Sequence, residues 1–129
     1  MKKPAIVVIA LMLASPVFAG RGKPKILNFD VVLGMPIVTV HTSEGKKRFV
    51  LDTGSNISTM DVKTEKRLRV RIAGKRFTLR FRPTQTDVFR EFKGMLPPTE
   101  RVDGILGSDF MRHFRHVDFN FKDSSVSFE

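Results

Sequence analysis

The chain of 129 residues has no cysteine, no tryptophan and no tyrosine, and its 13 acidic residues are outnumbered by 23 lysines and arginines. Each shortage excludes something. Without cysteine no disulfide can staple a small domain, so the fold must rest on its own core or on a partner chain. Without Tyr and Trp the best stacking platforms for single-stranded nucleic acid are missing, although 12 phenylalanines supply some aromatic faces. No recognition-helix pattern is present either, so nucleic acid is not an expected partner despite a formal charge of +10. There is no glycine-rich phosphate loop, because Gly104 and Gly107 lack the lysine and spacing it needs, and no serine sits in a nucleophile elbow. Tandem repeats and low-complexity tracts are absent as well.

What is present begins with a leader. Lys2 and Lys3 precede an uncharged apolar run from Ala5 to Ala14, and Ser15-Pro16-Val17-Phe18-Ala19 offers small residues where a signal peptidase reads. Residues 1–19 are expected to be a secretory signal peptide cleaved after Ala19. The apolar run is shorter than the roughly 20 residues that span a bilayer, which argues against a permanent anchor. Membrane contact is therefore expected only if this segment is retained. The short lysine-rich start is bacterial in character, so the destination is periplasmic or extracellular. Residues 20–129 form one domain, long enough for one core.

Almost every later segment has the period of a strand. Lys25 to Leu33 carries Ile26, Phe29, Val31 and Val32. From Pro36 to His41 the side chains alternate, and after the turn Ser43-Glu44-Gly45-Lys46 the chain returns through Arg48 to Leu51. Leu68–Ile72 and Phe77–Phe81 form a second hairpin across Ala73-Gly74-Lys75. Its basic residues alternate with apolar ones, as in strands with one wet face. The basic stretch from Lys63 to Arg82 is read as a surface open to substrate, membrane or solvent. Thr86 to Phe92 is a further candidate strand, and Pro97-Pro98 marks a loop. Ser108 is placed as the cap of a short helix, Asp109 to Phe114. Val117–Phe121 and Val126–Phe128 close a last hairpin over Lys122-Asp123-Ser124. Phe119, Phe121 and Phe128 are expected in a core or a dimer interface. The class is all-β, a small barrel-like or sandwich fold with one short C-terminal helix.

The hairpin delivers an unusual end. Phe49-Val50-Leu51 runs straight into Asp52-Thr53-Gly54-Ser55. The apolar residues fix a strand, Asp52 ends it with a carboxylate, and Gly54 lets the chain turn with no Cβ in the way. A carboxylate so held can be aimed, desolvated and paired with another, and paired carboxylates sharing a proton drive acid proteolysis. The segment resembles the active-site loop of the short, retropepsin-like aspartic peptidases. Residues 102–128, VDGILGSDFMRHFRHVDFNFKDSSVSF, resemble the C-terminal half of the same domains. Together the two matches cover most of residues 35–60 and 100–128, in the family's order.

The resemblance implies a closed barrel-like acid-protease fold. It also implies that Ile105, Leu106 and Gly107 lie beside the Asp-Thr-Gly loop and support it. One such loop per chain implies a homodimer in which Asp52 of both copies activates a water for peptide hydrolysis, with neither metal nor organic cofactor. By the same resemblance Thr53 braces the loops across the dimer, and Ser55 is a candidate donor to the Asp52 carboxylate. The substrate would be a protein or peptide. One family part is missing: a glycine-containing hairpin flap after the catalytic loop. Either 61–66 is a stub of it, or 84–96 takes its place, or the fold keeps only a binding surface. That last option is the alternative reading, a non-catalytic module holding an anionic envelope partner on its basic face.

Two smaller patterns carry less. His113 and His116, with Asp109 and Asp118 nearby, would share a helical face. With His41 the only other histidine and no cysteine, the ligand set is thin, so no metal is expected. Asn56-Ile57-Ser58 matches a glycosylation sequon by chance, since a glycan there would block the proposed site.

Overall fold

A computed structural model describes residues 23–84 and 87–129. The leader assigned to residues 1–19 lies outside them. The described chain forms ten strands and two short helices. These are β1 (Lys25–Asn28), β2 (Asp30–Val32), β3 (Met35–Thr42), β4 (Gly45–Leu51), β5 (Thr59–Met60), β6 (Lys66–Ile72), β7 (Lys75–Pro83), α1 (Asp87–Gly94), β8 (Gly104–Leu106), α2 (Ser108–Met111), β9 (Val117–Asn120) and β10 (Ser125–Phe128).

Strand order in the large sheet is β2-β3-β4-β8-β5-β7-β6, and a further pairing of β3 with β6 closes β3 through β6 into a six-stranded barrel. A small sheet, β1-β10-β9, lies beside it. The barrel interior follows from strand alternation. Val38 and Val40 on β3, Phe49 and Leu51 on β4, Leu68 and Val70 on β6, and Leu79 and Phe81 on β7 point inward, all nearly inaccessible. Phe49 and Phe81 stack with centroids 5.3 Å apart. Phe110 from α2 and Val126 and Phe128 from β10 join the same cluster, so the small sheet and α2 seal one side of the barrel. The β6–β7 turn uses Ala73 and Gly74, both at positive φ (52° and 77°), a geometry that suits the right-handed twist of a hairpin.

Four sequence expectations need correction. The stretch taken as a strand from Thr86 to Phe92 is the helix α1 from Asp87 onward, Thr86 itself lying outside the described residues. Phe89, Phe92 and Leu96 recur at helical intervals and pack on Ile37, Val50 and Val102, covering the outer wall of β3, β4 and β8. There are thus two helices, not one. The segment from Lys25 to Leu33 is two strands in different sheets, divided at Phe29, whose ring is buried. Ser108 is not a cap. Gly107 holds that position without a side-chain cap bond, and α2 ends at Met111 rather than Phe114. Phe121 is exposed, stacked on Phe119 at the rim, while Phe128 is in the core.

Candidate active site

The Asp-Thr-Gly loop leaves the barrel at the end of β4. That strand pairs in parallel with β8, Leu51 opposite Leu106. The ladder continues one step into the loop: the Asp52 amide donates to the Leu106 carbonyl at 3.0 Å. The Asp52 carboxylate is half-buried, and its Oδ1 accepts from the Gly54 amide at 2.9 Å. A Cβ on Gly54 would stand 3.3 Å from that same oxygen, so glycine keeps the approach open. Thr53 and Gly54 are exposed at the loop tip.

Ser55 does something other than expected. Its hydroxyl donates to the Ile57 carbonyl at 2.8 Å, closing the following turn, and does not contact the Asp52 carboxylate. Its carbonyl accepts from the Ser108 amide at 2.7 Å.

Ile105, Leu106 and Gly107 lie against this loop. β8 is wedged between β4 and β5, with Gly104 opposite Met60 on the β5 side. Neither flanking glycine could carry a side chain. A Cβ at Gly104 would fall 2.0 Å from the Thr59 carbonyl oxygen. One at Gly107 would fall 2.6 Å from the Ser55 oxygen and 2.8 Å from that of Ile57. Backbone packs on backbone here, which holds residues 55–59 at a fixed distance from β8.

A polar brace finishes the loop, and the sequence reading missed it. Ser58 is fully buried. Its hydroxyl donates to Asp109 Oδ1 at 2.6 Å and accepts from the Gly107 amide at 3.1 Å. Its amide donates to Asp109 Oδ2 at 2.9 Å, and Asp109 Oδ1 also takes the Phe110 amide at 2.8 Å. The Asp109 carboxylate is thus occupied in tying α2 to the Asp-Thr-Gly loop. The signal available was a serine six residues after Asp52 and an aspartate opening a helix, too common a pair to single out.

His113 is not paired with His116. It lies past the end of α2, stacked on Phe77 with centroids 3.8 Å apart, while His116 is exposed. Burial, with help from the nearby Lys75 charge, holds His113 below the usual imidazole value. Among the described residues no group of three or more His, Cys, Asp or Glu side chains could hold a metal ion.

Beside the loop is a cavity of about 380 Å³ walled by Ser55, Ile57, Thr59, Arg82 and Ile105. A second brace holds the start of β4. Arg48 pairs with Glu100 at 2.6 Å and Asp30 at 2.8 Å, and its amide donates to Asp103 at 2.9 Å. Only five residues, 61–65, separate β5 from β6, so no hairpin lies between the Asp-Thr-Gly loop and β6. The segment 84–96 does not replace the flap, because its described part is largely α1, packed on the barrel wall.

No family model matches the sequence, and no curated protein matches it. Among solved structures the chain is similar to a retropepsin-like aspartic protease from Rickettsia conorii. The TM-score is 0.54 and the identity 14%, over 82% of this chain and 91% of that one. At that identity the likeness speaks for the fold alone, and the closed barrel described above is a retropepsin-like fold.

Proposed function

We propose that the protein is an aspartic endopeptidase, active as a homodimer, that hydrolyses peptide bonds in protein substrates. The observation that carries this reading is the Asp52 carboxylate. It stands half-exposed at the tip of β4, held by the Gly54 amide, on a loop clamped by residues 106–109 of a retropepsin-like barrel. Exposed Thr53 and Gly54 leave that tip free to meet a second copy.

The chemistry follows from two like charges at close range. Two Asp52 carboxylates a few ångströms apart keep one proton between them. The ionised one takes a proton from a water lying between them, and the protonated one gives its proton to the substrate carbonyl oxygen. The water oxygen bonds to the carbonyl carbon, giving a tetrahedral intermediate. The carboxyl that took the water proton then gives it to the amide nitrogen, the carbon–nitrogen bond breaks, and a hydroxyl of the intermediate passes its proton to the other carboxylate as the carbonyl re-forms, so the pair is again singly protonated. The cavity beside the loop, walled by Ile57, Ile105 and Arg82, would on this reading receive a substrate side chain. The leader at residues 1–19 supports export to the periplasm or beyond.

The test is cleavage of a denatured protein mixture, read by mass spectrometry, alongside sedimentation. Wild type is expected to cleave and to sediment as a dimer, and Asp52→Asn to sediment identically while cleaving nothing. Cleavage that survives Asp52→Asn, or a strict monomer at high concentration, overturns the reading. One observation favours a second reading, a non-catalytic module that binds an anionic partner: the segment between β5 and β6, residues 61–65, is too short for a flap hairpin. Under it, wild type cleaves nothing and Asp52→Asn leaves the partner bound.

A further inference from the structure

The outward face of the β6–β7 hairpin is built almost wholly of arginine. Alternation sends Leu68, Val70, Leu79 and Phe81 into the barrel, so Arg67, Arg69 and Arg71 on β6 face out with Arg76, Thr78, Arg80 and Arg82 on β7. Every one of these outward residues is exposed. Register then decides what each one meets. Arg67 stands opposite Arg80 and Arg71 opposite Arg76. The pairing that closes the barrel sets His41 opposite Arg71 on the other side. His41, Arg71 and Arg76 therefore form one row across three strands, with Arg69 and Thr78 opposed in the next.

Directly opposed side chains in a sheet have Cβ atoms about 5 Å apart, and like charges so placed destabilise it. Among the described residues, Arg80 is the one outward arginine with an ion pair, to Glu65 at 2.9 Å. The acid closest in register, Glu44, is taken by Lys66 and Lys47. Solubility alone calls for mixed charge on such a face, and a cation placed against a cation in register suits an anion instead. The row borders an open cavity of about 460 Å³, whose edge also holds Thr42 and Ser43. A guanidinium fork binds two oxygens at once. The three guanidiniums that line this cavity, Arg69, Arg71 and Arg76, match a group with several oxygens and nearly two negative charges better than a single carboxylate.

We propose that this face is a binding site for phosphoryl groups, with Arg69, Arg71, Arg76 and His41 as the contacts. The site stands on the barrel wall opposite in kind from the Asp52 loop and does not depend on the peptidase reading. Two sources present this chemistry, soluble phosphate compounds and lipid headgroups, and two probes on the full chain separate them. One is pyrophosphate, followed by isothermal titration. The other is vesicles of phosphatidylglycerol, against phosphatidylcholine, followed by co-sedimentation. Binding of pyrophosphate assigns the site to soluble ligands. Binding of phosphatidylglycerol vesicles alone assigns it to a membrane surface. In either case Arg71→Gln/Arg76→Gln is expected to weaken binding at least about tenfold, the scale of one or two lost charge-assisted contacts. Its thermal midpoint should not fall, because repulsion has been removed. His41→Gln, a single change on the neighbouring strand, should weaken binding in the same direction. The proposal is overturned if neither probe binds, or if the substituted chains bind as well as wild type.

Discussion

Ser58→Ala tests whether the catalytic loop is held by the buried brace or merely by the course of the chain. The substitution removes one oxygen and leaves almost no void, so its cost is polar. The Ser58 hydroxyl gives a 2.6 Å bond to the Asp109 carboxylate, and hydrogen bonds to charged groups contribute about 1.5–3 kcal/mol. The same oxygen accepts from the buried Gly107 amide at 3.1 Å, and stranding that donor adds about 1–3 kcal/mol. The sum is about 2.5–6 kcal/mol. Ser55→Ala is the comparison. It loses one neutral bond to the Ile57 carbonyl at a half-buried position, about 0.5–1.5 kcal/mol. Urea unfolding at one fixed protein concentration measures both, since association would otherwise shift the apparent stability. The midpoint should fall several times further for Ser58→Ala than for Ser55→Ala, with the slope unchanged. Amide exchange across 52–58 should quicken in Ser58→Ala alone. If Ser58→Ala lies within about 1 kcal/mol of wild type, or no further from it than Ser55→Ala, the brace is not what fixes the loop.

Two other outcomes follow from the same structure. Gly104→Ala would drive a Cβ into the Thr59 carbonyl, at 2.0 Å, and should destabilise by about 3 kcal/mol or more. Gly94→Ala meets nothing within 4 Å at the end of α1 and should leave the urea midpoint unchanged or raise it. His113, held below its usual value of 6.5 by burial, stays neutral in the fold while the unfolded chain takes up a proton more readily. Its contribution is therefore fully present above about pH 6.5 and is lost as pH falls below it. Urea midpoints from pH 7 to 5 should fall more steeply for wild type than for His113→Phe.

The parts of the fold legible in the sequence are those where several local signals agree. The β3–β4 and β6–β7 hairpins read correctly because alternation, turn residues and one wet face all agree on period two. α1 is not legible within residues 86–92 because its helical signal, Phe89, Phe92 and Leu96, runs past that stretch. The helix is decided by tertiary contact: an otherwise bare patch of Ile37, Val50 and Val102 needs a cover. Ser55, three residues after Asp52, is the expected donor, whereas the structure gives the bracing work to Ser58, whose partner is 51 residues away. No local pattern encodes a contact of that range.

The two glycines beside Ile105 and Leu106 carry the same lesson into function. In sequence they look like parts of a loop. In the fold each is a place where two backbones approach too closely for any Cβ, so together they set the spacing between β8 and the segment after Asp52. That spacing controls where the carboxylate stands. A carboxylate that must meet its own copy around one water tolerates little displacement, since an error in one chain appears in both and is doubled across a twofold axis. A site assembled from two copies therefore needs a more rigid loop than a site complete in one chain. The five interlocking hydrogen bonds between 52–58 and 106–109 are disproportionate for a loop that only turns the chain, and they are what the proposed shared site requires.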